Sequence, residues 1–85
     1  MANNDAEAYM LILTMYGKKK DVANRLIKFK QVENVHELYG QYDIIAKIRA
    51  SSLRELEDFI QQNIRAMKDI ERTETLIVSD VPLPK

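Results

Sequence analysis

The apolar residues of this 85-residue chain recur with a period of two in some stretches and of three to four in others, and the order of the two periods leaves few folds open. Tyr9 to Met15 reads Tyr-Met-Leu-Ile-Leu-Thr-Met, apolar on both alternating faces, which predicts a central strand. Gly17 ends it. From Lys18 to Lys30 the residues Val22, Ala23, Leu26, Ile27 and Phe29 gather on one helical face with lysines on the other, predicting an amphipathic crossover helix. Val32 to Tyr39 and Asp43 to Ala50 then read as a β-hairpin, its second strand alternating Ile44, Ala46 and Ile48 against Ile45, Lys47 and Arg49. Ser52-Leu53-Arg54-Glu55 is a capping-box pattern, in which the serine oxygen and the glutamate three residues on satisfy free backbone donors. Behind it Leu53, Leu56, Phe59, Ile60, Ile64 and Met67 form one apolar stripe to about Lys68. Ile70 to Ser79 closes the series as a strand with Thr73, Thr75 and Ile77 on one side and Arg72, Glu74, Leu76 and Val78 on the other; Pro82 and Pro84 end regular structure. The order β-α-β-β-α-β, with right-handed crossovers, predicts an α+β, ferredoxin-like domain: a four-stranded antiparallel sheet with both helices on one face.

That layout leaves the second sheet face bare. Tyr9, Leu11 and Leu13 or their alternates, with Ile45 and alternate residues of the last strand, would expose an apolar patch too large for a comfortable monomer. Size points the same way, since a domain this small buries only roughly 60–65% of its unfolded surface. Face-to-face dimerisation is the simplest remedy. Domain organisation follows as a polar, disordered tail over 1–7, a folded domain over 8–80 and a C-terminal tail over 81–85.

Composition excludes several functions. Thirteen Lys and Arg balance thirteen Asp and Glu, so no overall field draws nucleic-acid phosphates, and direct nucleic-acid binding is not expected. With no cysteine and one histidine there is neither a disulfide framework nor a zinc-ligand cluster. The longest apolar run, Ala8 to Met15 interrupted only by Thr14, is far shorter than the roughly 20 residues of a membrane helix and has no basic region before it, which predicts a cytoplasmic protein without a membrane partner.

Candidate chemistry concentrates at Tyr39-Gly40-Gln41-Tyr42-Asp43, the bend of the hairpin, where Gly40 supplies backbone freedom and a carboxylate and aromatics stand at an accessible tip. His36 and Glu37 are neighbours in a strand, so their side chains point to opposite faces and make no catalytic pair or metal site. Lys18-Lys19-Lys20 reads as a solvated helix start able to touch an acidic partner.

Val35 to Ile48, with its Gly-x-Tyr-Asp turn, then the capped helix, Ile64-Arg65 and Thr73-Glu74-Thr75-Leu76-Ile77-Val78, resembles the effector-binding domain of the Lrp/AsnC transcription regulators, in its stand-alone form. The resemblance spans nearly all of Tyr9 to Val78 and departs at Met67-Lys68-Asp69-Ile70, where many relatives have a Pro-Gly or Asp-Gly turn. It implies a dimeric α+β barrel, dimers assembled further into an octamer or decamer ring, and small effectors, typically amino acids, held between dimers. Only a seven-residue, mostly polar stretch precedes the first strand in place of the regulators' helix-turn-helix domain, so the expected route to transcription is indirect, by co-assembly with a full-length relative. For an amino-acid effector, Asp43 would accept the ammonium, amides around Gly40, Gln41 and Tyr42 would donate to the carboxylate, and Thr73 or Thr75 would serve either group. Tyr39 and Tyr42 would also pack at a subunit interface, and Arg65 is a candidate for an inter-subunit ion pair.

Two function classes compete. A non-catalytic effector-binding and assembly module needs no cofactor; the alternative is a small dimeric α+β barrel enzyme, a cofactor-free monooxygenase or an isomerase. Against the enzyme stands the poor supply of acid/base groups, with no second carboxylate paired to Asp43. A purely structural oligomer with an empty site is the third possibility.

Overall fold

In the computed structural model, which describes residues 5–79, the strands and helices follow the expected order: β1 Ala6–Thr14, α1 Lys19–Leu26, β2 Val32–Glu37, β3 Ile44–Ala50, α2 Leu53–Phe59 continuing into a π-helical turn Ile60–Ile64, and β4 Ile70–Ile77. The four strands form one antiparallel sheet in the order β2-β3-β1-β4, the ferredoxin-like arrangement. Registers Met10↔Ala46, Ile12↔Ile44 and Met10↔Thr75 fix the faces, because partners across a ladder point the same way. Ala8, Met10, Ile12, Ile44, Ala46 and Ile48 lie under the helices, fully buried against Val22, Leu26, Leu56 and Ile64.

α1 packs over β2 and β3, and α2 over β1 and β3. β4 is left largely uncovered even on the helix side, where Ile77 is 48% exposed. The opposite face carries Tyr9, Leu11, Leu13, Ile45, Leu76 and Val78, one of the two parities the sequence left open. One end of that face is charged: Arg49 contacts Glu7 at 2.5 Å, Glu33 at 2.8 Å and Asp5 at 3.7 Å, while Lys47 lies 3.6 Å from Glu7 and 3.7 Å from Glu33.

Several boundaries differ from expectation. β1 begins at Ala6, so 5–7 belong to the ordered domain rather than to a tail, and Glu7 is held by Arg49. The remainder of the two expected tails, and Pro82 and Pro84, lie outside the described residues. α1 stops at Leu26 instead of Lys30: Lys28 and Phe29 donate to carbonyls three residues back, tightening the chain so that Phe29 turns inward to meet Phe59 edge-on at 5.2 Å. Ile27, expected in the core, is therefore exposed. Leu53 also leaves the expected stripe and is half exposed as the first residue of α2.

The capping box forms by half. Ser52 Oγ accepts from the Glu55 backbone N–H at 3.1 Å, whereas the Glu55 carboxylate accepts from the Ser51 hydroxyl instead of reaching back to the backbone. Ser52→Ala is expected to lower stability by about 1 kcal/mol, checked by urea unfolding; no change would mean that Ser51 takes over the cap.

Candidate functional site

The hairpin turn is held on three sides. Gly40 has φ of +150°, a backbone region that favours glycine. Asp43 Oδ2 accepts from both the backbone N–H and the hydroxyl of Thr14, each at 2.9 Å, and the Asp43 N–H donates to Ile12 O at 2.9 Å. The Thr14 backbone N–H bond holds the Asp43 carboxyl below its usual range; burial opposes this, and the Thr14 hydroxyl and Lys19 assist it. Tyr42 donates from its hydroxyl to Glu74 of β4 at 3.1 Å and lies 5.6 Å from the Arg72 guanidinium. Lys19 donates to Leu38 O at 2.9 Å with its ammonium 4.8 Å from the Tyr39 ring, and Lys20 pairs with Glu37 at 2.6 Å. The hydrogen bond and charge of Glu37 raise the Lys20 pKa above its ordinary value. The lysine run grips the hairpin in addition to being solvated.

Tyr39 is fully exposed, and Gly40 and Gln41 are exposed beside it, so the tip faces outward from the subunit. Thr73 and Thr75 are elsewhere. Thr73 pairs with Ile12 and Thr75 with Met10, which puts both hydroxyls on the helix face of edge strand β4. Thr73 stands two strands from the Asp43 end of β3, roughly 10 Å across the sheet. Within one subunit the turn and the threonines therefore form two separate groups.

Thr75 opens onto a cleft of about 440 Å3 between β4 and the end of α2, lined also by Glu57, Asp58, Gln61 and Arg65. Its hydroxyl oxygen is buried and has no hydrogen-bond partner among the described residues. A second cleft of about 240 Å3 joins Thr73 to Arg65, Glu71 and Arg72, so Arg65 borders both threonines. Among the described residues Arg65 makes no ion pair, which leaves it as a candidate for the expected inter-subunit pair.

A π turn lies beside this cleft. Arg65 N–H donates to Ile60 O, five residues back, at 2.9 Å, which swings the end of the helix by a fraction of a turn. The Asn63 side-chain amide donates to Phe59 O at 3.2 Å. The carboxylates and Gln61 of the cleft had no signal in the apolar stripe, since a regular helix places them on the solvent side; Asn63, a residue whose side chain competes for backbone carbonyls, is the one local hint. Among the described residues no group of three His, Cys, Asp or Glu side chains could hold a metal ion, and no helix is long and apolar enough to cross a membrane.

The βαββαβ domain thus combines a sheet with one open face, an anchored hairpin tip and a polar cleft along an edge strand. The chain belongs to the Lrp/AsnC ligand binding domain family, whose model matches residues 7–85. It is 35% identical over 74 residues, 87% of its length, to the HTH-type transcriptional regulator FL11 of Pyrococcus furiosus, of which it covers 48%. The chain thus spans about half the length of the curated relatives it matches. In three dimensions it is similar to FFRP-DM1, with a TM-score of 0.85 and 34% identity, covering 87% of this chain and 99% of that one. TTHA0845 of Thermus thermophilus gives 0.84 at 28% identity, covering 93% and 99%. The family and the ferredoxin-like fold expected from the sequence both hold.

Proposed function

We propose that the chain is a non-catalytic module that binds an amino-acid effector and self-assembles, and that it modulates transcription or amino-acid metabolism indirectly by co-assembling with full-length regulators of its family. The observation that carries this reading is the cleft beside Thr75. A zwitterion leaving water needs a fixed partner for each end. The cleft offers the Arg65 guanidinium for a carboxylate, Glu57 and Asp58 for an ammonium, and in Thr75 a buried hydroxyl with its bonding capacity unused.

The hairpin tip supplies the other half of the site from a neighbouring subunit. Tyr39, Gly40 and Gln41 face outward there, while Tyr42 and Asp43 brace the turn. Packing the bare sheet face against a second copy covers Leu11, Leu13 and Ile45 and gives the dimeric barrel; joining dimers, in an octamer or decamer ring, brings tip and cleft together. The effector then acts by its differential affinity for two assembly states.

Thermal unfolding against each of the twenty amino acids at millimolar concentration tests the ligand class. An effector at 100 times its Kd adds about 2.7 kcal/mol and raises Tm by roughly 10–20 °C in a domain of this size. Thr75→Val is expected to abolish that rise while leaving the unliganded Tm equal or slightly higher, because a methyl replaces an unbonded buried hydroxyl. No rise with any amino acid would overturn the ligand class, and a rise unchanged in Thr75→Val would overturn the cleft as the site.

A further inference from the structure

Three charges in the cleft beside Thr75 have no counter-charge within the subunit. Glu57, Asp58 and Arg65 all line it, and among the described residues none of the three enters an ion pair, although Lys20, Arg25, Lys47 and Arg49 all do. Two carboxylates against one guanidinium leave one negative charge, which an amino acid with an uncharged side chain, itself neutral overall, does not compensate. Spacing adds a second condition. The chain passes from Ile64 to Ile70 through a short connection, and β4 then runs back along the helix. Arg65 therefore stands at the Thr73 end of the cleft and Glu57 and Asp58 at the Ile77 end. Arg65 follows Asp58 by seven residues and Glu57 by eight, roughly 10–12 Å along a helix axis. The α-ammonium and α-carboxylate of an amino acid hang from one carbon and span only a fraction of that length. Between the two ends the walls are aliphatic, Ile60 buried and Ile77 half exposed.

We propose that the cleft takes an amino acid whose side chain ends in a cation, such as lysine or arginine, stretched along β4 from Arg65 to Glu57 and Asp58. The inference rests on the effector reading above and narrows it to one chemical class. The α-carboxylate meets the Arg65 fork, a pairing that uses both oxygens. The α-ammonium donates to the Thr75 hydroxyl oxygen, which is buried and unbonded. The methylene stem lies on Ile60 and Ile77, as long cationic side chains cover apolar surface while their heads stay polar. The terminal cation is met by Glu57 and Asp58. Every other class leaves a defect. Norleucine has nearly the same stem but leaves both carboxylates unmatched, and glutamate sets a third carboxylate against them. Cadaverine, which is lysine without its carboxylate, leaves Arg65 without a partner. The cleft volume of about 440 Å3 lies within the range of small-molecule sites.

Thermal unfolding of the full chain, titrated at one ionic strength with L-lysine, L-arginine, L-norleucine, L-glutamate and cadaverine, reads the selectivity. Lysine or arginine is expected to raise Tm at concentrations at least about tenfold below those norleucine needs, the discrimination expected of one hydrogen bond to a charged group. Glutamate and cadaverine are expected to give no rise. Glu57→Gln combined with Asp58→Asn should bring the lysine response down to that of norleucine and leave norleucine unchanged. Both positions are exposed, and the unliganded Tm checks that the variant folds. Added salt should weaken lysine more than norleucine, since part of its advantage is screened. A neutral amino acid that binds as tightly as lysine and arginine overturns this proposal and leaves the effector reading standing; a lysine response retained by the folded double variant does the same. No response to any of the twenty amino acids overturns both.

Discussion

Leu56→Ala is expected to destabilise the domain by about 2–5 kcal/mol, the largest effect of any substitution considered. Leu56 is fully buried and projects from α2 into the centre of the core, whose strand side is built from Met10, Ile12, Ile44 and Ile48. Removing its branched end takes away both the transfer energy and the contacts of its neighbours, and a rigid sheet beneath cannot collapse into the gap. Against a total stability of about 5–15 kcal/mol for an ordinary domain, such a loss is severe. Urea unfolding should show a lower midpoint with an unchanged slope. A loss under about 1 kcal/mol would mean that α2 is not seated on the sheet as described.

Asp43→Ala is expected to lower stability by about 2 kcal/mol and Tm by roughly 8–16 °C, without any ligand. Among the described residues Thr14 is the one polar residue buried with the core, and both its N–H and its hydroxyl donate to the Asp43 carboxylate. Alanine leaves those donors unpaired, and hydrogen bonds to charged groups are the stronger kind. The dependence on pH has a definite sign. The folded carboxyl is held below its ordinary value of 3.8, so its stabilisation is complete above that value and is lost as pH falls through the lower folded value. Tm measured against pH should therefore converge for the wild type and Asp43→Asn at the acid end. A gap that widens on acidification would contradict the assignment.

The fold was legible because its two periods are strong. Alternation in Ile44–Ala50 and in Arg72–Val78 gave the faces of β3 and β4, and the β-α-β-β-α-β order left one compact antiparallel topology. Ends were harder. Phe29 fits a continued α1 by spacing, but its contact with Phe59 draws the chain inward, a tertiary preference that local periodicity does not encode.

The candidate site was legible in part. Gly40 and Asp43 marked the hairpin, yet the role the structure gives Asp43, holding Thr14, depends on a residue twenty-nine positions earlier. Thr73 and Thr75 were placed together on one side of β4, but neither the cleft beside Thr75 nor the π turn at Ile60–Ile64 was legible. Neither follows from the apolar stripe, which reads the same for a regular helix.

Light scattering of the full chain, titrated with whichever amino acid raises its Tm, tests the central claim most directly. Binding coupled to assembly predicts that the mean mass moves from one discrete multiple of 9.9 kDa to another as the ligand saturates, and that Thr75→Val stays at the starting mass. A mass that stays constant at saturation would contradict an effector-driven assembly module.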